Sequence, residues 1–310
     1  MCSATTAAKA TNHQSLITNH WFRSPITEFQ VLAYRHLFHA GNFADVCKHA
    51  LLTRLLILLE RKDKPFCYLD THAGIGLYDL SHPWALKLAE HEDGIGRVWK
   101  RKDAPPALTP YLEAVRGENP DGKLRFYPGS PRIAQRLLRR GDRMVLTELN
   151  KDDCATLADL FEGDRRVVVS HIDGYQALKA HLPPKERRGL VLVDSSFDRS
   201  EEFARLTAGL VEGHRRFAGG VYALWYPLMA PVAMHAFERG IVASGIRKIL
   251  QVELSILPDG WNASLRGCGM LVVNPPYGFD LEAKPLLDWL QPVLSEAGEG
   301  GVRVRWLVPE

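Results

Sequence analysis

The residues best suited to chemistry begin at Tyr68-Leu69-Asp70-Thr71-His72-Ala73-Gly74-Ile75-Gly76-Leu77-Tyr78. A short apolar run from Pro65 to Leu69 meets an acid and then two glycines separated by one residue, the pattern of a buried strand turning into a loop that cradles a ligand. Glycines there let backbone N–H groups approach a nucleotide-like cofactor, and Asp70 at the strand end is placed to reach its polar groups. The dinucleotide fingerprint is broken, because Asp79 stands where a third glycine would be. This moves the expectation from a nicotinamide dinucleotide to S-adenosyl-L-methionine. A Gly-x-Gly after a strand is also consistent with a tight turn and nothing more.

Further acids recur at the ends of apolar runs. Glu148 closes Val145-Leu146-Thr147-Glu148, Asp173-Gly174 follows Val167 to Ser170, and Asp194 follows Leu190 to Val193. Random acids rarely fall so regularly, and in a doubly wound sheet ligands sit at the carboxyl ends of the strands. Runs Val221 to Trp225, Met270 to Val273 and Val302 to Val308 continue the rhythm, with helical spacing over Pro131 to Arg140, Phe203 to Phe217 and Pro231 to Ala243. The alternation predicts an α/β fold with a mostly parallel, Rossmann-like sheet covered on both faces. An acid that binds ribose hydroxyls is expected about 20 residues beyond the glycine loop, yet Glu148 lies much farther on. Residues 79–124 are therefore read as an inserted small helical subdomain, with residues 31–78 and 125–310 forming the main domain and the sheet pattern resuming at Leu124 to Tyr127.

Upstream, apolar spacing from Ala44 to Leu59 predicts a helix capped by Asn42, with Lys48 and His49 in its first turns. A metal reading of His36, His39, His49 and His72 finds no cysteine or carboxylate at ligand spacing, so no metal is assigned. Residues 1–30 carry no apolar periodicity and no acid before Glu28, which predicts a disordered extension or an upstream start, Val31 being a residue that an alternative start codon can encode. A targeting peptide would need a secretory apolar region or more arginine. The five cysteines are scattered without a paired motif, which fits a reducing cytoplasm and excludes a disulfide framework. The net charge of +3 permits a polyanionic partner without requiring one. The cluster Arg97, Lys100, Arg101 and Lys102 reads equally as a solvated face or an RNA contact. No apolar run is long enough to span a membrane.

From about Val31 to the carboxyl terminus the chain resembles the bacterial large-subunit ribosomal RNA adenine-N6 methyltransferase J family. The resemblance is carried by Tyr34-Arg-His-x-Phe-His-Ala-Gly-Asn, Leu69-Asp-Thr-His-Ala-Gly, Tyr127-Pro-Gly-Ser-Pro, Leu146-Thr-Glu-Leu, Tyr222-Ala-Leu-Trp-Tyr-Pro, Gly245-Ile-Arg-Lys-Ile-Leu-Gln and Val308-Pro-Glu. It implies a Rossmann-like fold with a small helical insertion, S-adenosyl-L-methionine as cofactor and 23S ribosomal RNA as partner, with methylation of an adenine N6. It further implies a cytoplasmic protein, taken here as a monomer. Matched by position, Lys48, His49, His72, Ser130, Glu148, Asp173, Gly174 and Asp194 would contact the cofactor. Tyr34 would touch the substrate adenosine and Asp194 would be catalytic.

The chain departs from its family at one place. Such enzymes carry Asp/Asn-Pro-Pro-aromatic at the catalytic strand end, whereas here it reads Asp194-Ser195-Ser196-Phe197, and Asn274-Pro275-Pro276-Tyr277 occurs later. The fourth sheet strand lies beside the first in this fold and the strand before Asn274 near the far edge, so Asp194 is retained as acceptor for the amino group. The Ser195 carbonyl is its expected backbone partner and Phe197 the stacking ring. Losing two prolines costs preorganisation. The expectation is an active enzyme, slower than its relatives, beside two other readings: a catalytically impaired RNA-binding or assembly factor on the same fold, and a nicotinamide-dependent oxidoreductase, against which the missing third glycine argues.

Overall fold

The computed structural model describes residues 35–258, 265–295 and 298–310. The expected extension over residues 1–30, and Tyr34, lie outside the described residues. After a 3-10 turn at His36–Phe38, the Asn42 side chain accepts the Asp45 amide at 2.9 Å and opens helix α1 (Phe43–Glu60). Strand β1 (Cys67–Asp70) leads through the glycine loop to β2 (Leu77–Asp79), then to helices α2 (Pro83–Leu88), α3 (Glu90–Asp93), α4 (Ile95–Val98) and α5 (Thr109–Gly117). Next come β3 (Phe126–Pro128), α6 (Ser130–Leu137), β4 (Arg143–Glu148), α7 (Lys151–Leu160), β5 (Val167–His171), α8 (Gly174–His181) and β6 (Gly189–Val193). The chain closes with α9 (Glu202–Arg216), β7 (Val221–Pro227), α10 (Pro231–Ala243), β8 (Ile249–Ser255), β9 (Gly267–Val273), α11 (Phe279–Leu294) and β10 (Gly301–Val308).

Among the described residues, eight strands form one sheet in the order β10-β8-β9-β7-β6-β1-β4-β5. The pairs β1–β4, β4–β5, β1–β6 and β6–β7 are parallel, while β7–β9, β9–β8 and β8–β10 are antiparallel. Strands β1, β6 and β9 are buried along their whole length, which is why they read as continuous apolar runs and not as alternating ones. One face packs leucines of α1 and α11 into a large cluster, and the other packs Leu178, Leu206, Leu210 and Phe237 from α8, α9 and α10. Because α1 lies buried within that large cluster, even its polar Asp45, Lys48 and His49 are buried.

Three details differ from the sequence expectation. The stretch before Tyr127 does not rejoin the main sheet. Strand β3 pairs antiparallel with β2 in a separate two-stranded ribbon, because the Asn119 side chain accepts the Arg125 and Phe126 amides at 2.8 and 2.9 Å and turns the chain there. Strand β8 was not anticipated, and with β10 it places β9 third from the margin of the sheet. Finally, Ile95, Val98, Leu108, Tyr111 and Leu112, which lie between β2 and β3, join the same cluster as α1 and α11.

Candidate active site

Register brings the ends of the parallel strands into one rim: Asp70 is level with Leu146 of β4 and Leu192 of β6, and Glu148 with His171 of β5. Asp70, Glu148, Asp173 and Asp194 therefore share the carboxyl edge of four neighbouring strands.

The glycine loop is built differently from the expectation. Gly74 and Gly76 have positive φ, 59° and 77°, where a side chain is strained. A Cβ on Gly74 would meet the Tyr78 hydroxyl at 2.3 Å and one on Gly76 the Leu160 side chain at 2.8 Å, so these glycines serve close packing within the protein. Asp70 is fully buried and does not reach outward. Its carboxylate accepts the Tyr68 hydroxyl at 2.8 Å, the Ser130 hydroxyl at 2.7 Å and the His72 amide at 3.3 Å, and burial pushes it up to about 6. Ser130 is thereby a brace between α6 and β1.

Glu148 accepts the Gly74 amide at 2.9 Å through Oε2 and the Asn150 amide at 2.8 Å through Oε1, which fixes its carboxylate against the loop. Asp173 caps α8 by accepting the Tyr175 and Gln176 amides, and its other oxygen lies 3.4 Å from Arg205. At Gly174 a Cβ would lie 2.4 Å from the Thr71 carbonyl and 2.6 Å from His72 Cε1, so only glycine lets α8 approach this close. The His72 Nδ1 sits 2.8 Å from the Thr71 hydroxyl, which donates to the Leu192 carbonyl. Burial pushes His72 down.

The β6 end gathers charged side chains beside aromatic rings. Lys48 Nζ lies 2.5 Å from Asp194 Oδ2 and 2.8 Å from Asp45 Oδ1, and 5.9 Å from the centre of the Trp225 ring. Burial alone would lower the Lys48 ammonium, but Asp194 and Asp45 outweigh it and hold it well above its ordinary range. Phe197, at φ +52°, packs edge-on against Phe203 and Trp225 with ring centres 5.0 and 5.8 Å away. Ser196 donates to Asp198 at 2.9 Å, a side-chain brace for the turn after β6. His49 is buried, bonded to the Tyr127 hydroxyl at 2.7 Å, and burial pushes it down to about 3. Tyr34 is outside the described residues; Arg35 is paired to Asp153 at 2.6 Å and His36 to Asp45 at 2.9 Å.

The structure thus brings Lys48, Asp194 and Phe197 together at the β6 end and His72, Glu148, Asp173 and Gly174 around the adjoining loop, while Ser130 is bonded to the buried Asp70 and His49 to Tyr127. Sequence reasoning missed Asp45 and Trp225. Asp45 precedes Lys48 by one helical turn, a spacing that signals an ion pair; Trp225 lies inside the quoted Tyr222-Ala-Leu-Trp segment. Among the described residues no group of three His, Cys, Asp or Glu side chains forms a metal-binding cluster. Nor is any helix among them long and apolar enough to cross a membrane.

This arrangement suits a cation with a ribose. The rim is acidic and the Gly74 amide is already bonded to Glu148, whereas a dinucleotide pyrophosphate needs free loop amides. Comparison with known proteins agrees. The family described as ribosomal RNA large subunit methyltransferase D, RlmJ, matches residues 63–308. The ribosomal RNA large subunit methyltransferase J of Escherichia coli (strain K12) is 45% identical over 280 residues, covering 90% of this chain and 100% of that protein. Its namesake from Haemophilus influenzae is 43% identical over 281 residues, again 90% and 100%. A crystal structure of a Legionella pneumophila protein superposes with a TM-score of 0.81 at 37% identity, covering 86% of this chain and 98% of that one. The fold and the motifs therefore have one explanation: the chain belongs to the ribosomal RNA large subunit methyltransferase J family.

Proposed function

We propose that the protein transfers a methyl group from S-adenosyl-L-methionine to the N6 amino group of an adenine in 23S ribosomal RNA, acting as a cytoplasmic monomer. The observation that carries this reading is Asp194. It follows a strand that pairs directly with β1, it is held by Lys48, and aromatic rings stand beside it. The cofactor, when bound, supplies a methyl group on a positively charged sulfur. Glu148 is the residue assigned to its ribose hydroxyls, with Lys48, His49, His72, Ser130, Asp173 and Gly174 forming the rest of the cradle directly or through their buried partners.

The adenine amino group is a poor nucleophile because its lone pair is delocalised into the ring. A carboxylate oxygen of Asp194 and the Ser195 carbonyl each accept one of its N–H bonds, which draws the nitrogen towards tetrahedral geometry. Lys48 occupies Oδ2, so Oδ1 is the oxygen assigned to this contact. Phe197 and Tyr34 hold the base plane. As the nitrogen gains the methyl group it sheds one proton, to Asp194 or to water. Positioning and electrostatics supply most of the rate, since no covalent bond to the protein forms. A base within folded RNA must be unstacked to enter such a pocket, and residues 79–124 are the inserted element assigned to hold the surrounding RNA.

The Ser195-Ser196 pair favours one other reading, a factor that binds cofactor and RNA without turnover. Both are tested by incubating the protein with S-adenosyl-L-methionine and 23S rRNA from a strain lacking the enzyme, then identifying the modified nucleoside by mass spectrometry. The proposed activity yields N6-methyladenosine. Cofactor binding without incorporation supports the non-catalytic reading, and methylation at another atom contradicts both.

A further inference from the structure

Asp45 is 2% exposed and belongs to none of the roles assigned above. Its carboxylate nevertheless gathers three groups from separate turns of the chain. Oδ2 accepts the Gly41 amide at 2.9 Å and lies 2.9 Å from His36 Nε2, while Oδ1 faces Lys48 Nζ at 2.8 Å. The same Nζ reaches Asp194 at 2.5 Å. Lysine carries a compact charge on a flexible stem, so a single ion pair leaves its position loosely defined. A second carboxylate fixes it.

Building on the proposed role of Asp194, we propose that Asp45 is a positioning residue for methyl transfer, clamping the Lys48 ammonium against Asp194 and tying the His36 turn to the same charge. A helix-start acid with a purely local role would brace residues 36–42 and affect folding alone. A positioning residue affects the chemical step.

The test uses the full chain with D45N, K48M and the double variant D45N/K48M. D45N is expected to lower kcat by about tenfold or more while KM for deletion-strain 23S rRNA and the cofactor affinity from calorimetry stay within about threefold. Lys48, with one anionic partner gone, should be acetylated by acetic anhydride about tenfold faster at alkaline pH, mapped by mass spectrometry. The double variant leaves neither charge buried alone and should be no slower than K48M. An unchanged kcat and unchanged Lys48 reactivity in D45N overturn the proposal. So does a further tenfold loss from K48M to the double variant, which keeps the question decidable if D45N folds poorly. A wild type that transfers no methyl breaks the proposed activity and with it the role in methyl transfer, while unchanged Lys48 reactivity in D45N would show separately that Asp45 does not clamp Lys48.

Discussion

The two edges of the sheet carry similar-looking tetrapeptides in opposite circumstances. After β6, Asp194-Ser195-Ser196-Phe197 opens onto the rim where five parallel strands end, beside Lys48 and Trp225. After β9, Asn274-Pro275-Pro276-Tyr277 emerges at the other edge, because β9 runs antiparallel to β7. There the Asn274 amide donates to the Ala218 and Gly220 carbonyls at 2.8 and 2.9 Å, just before β7 begins. Asn274 sits at φ +51° and Tyr277 is 93% exposed, so this segment is a braced turn. The better match to an Asn-Pro-Pro-aromatic motif lies at the opposite end of the sheet from Asp194. Strand direction separates the two more decisively than distance from the margin.

The largest expected effect belongs to the rim. Asp194→Asn should lower kcat for methyl transfer by about 10²–10⁴-fold, in the range of a lost acid–base group, with rates measured on rRNA from a strain lacking the enzyme. Behind the rim, the buried Asp70 makes stability depend on pH. Its carboxyl is raised to about 6, so its favourable contribution is complete below the unfolded value near 4 and is lost as the pH rises through 6. Against Asp70→Asn, the wild type should lose about 2–3 kcal/mol over that window in urea titrations at successive pH values. A flat difference would mean the carboxyl is not buried as described.

A smaller effect is expected where the cofactor is proposed to bind. Glu148→Gln keeps the shape but weakens the acceptors held by the Gly74 and Asn150 amides, and calorimetry should show cofactor affinity reduced by about 1–3 kcal/mol. At the opposite edge, Asn274→Ala removes two hydrogen bonds to backbone carbonyls and should cost about 1–2 kcal/mol of stability in thermal or urea unfolding, with kcat per folded molecule unchanged. A kcat loss there would erase the distinction between the edges.

The acids at the strand ends were legible because an acid after an apolar run is a local signal, and the Asn42 cap likewise needs only neighbouring residues. What the glycines and Asp70 touch was not legible. Gly74 makes room for Tyr78 and Gly76 for Leu160, partners set by tertiary packing, and Asp70 faces Tyr68 and Ser130 inside the protein. The direction of β9 was equally hidden. Residues Gly267–Val273 are buried on both faces, and such a run carries no mark of whether its neighbour is parallel. Asp45 was visible as a residue one helical turn before Lys48, but that the second partner of Lys48 is Asp194, across the fold, depends on the pairing of β6 with β1.

The central claim is that the β6 edge, not the β9 edge, performs the methyl transfer, and complementation tests it most directly. A strain lacking the enzyme is supplied with wild type, Asp194→Ala or Asn274→Ala, and N6-methyladenine is mapped in its 23S rRNA. Wild type and Asn274→Ala should restore the modification and Asp194→Ala should not. A modification that survives Asp194→Ala and disappears with Asn274→Ala would contradict the account.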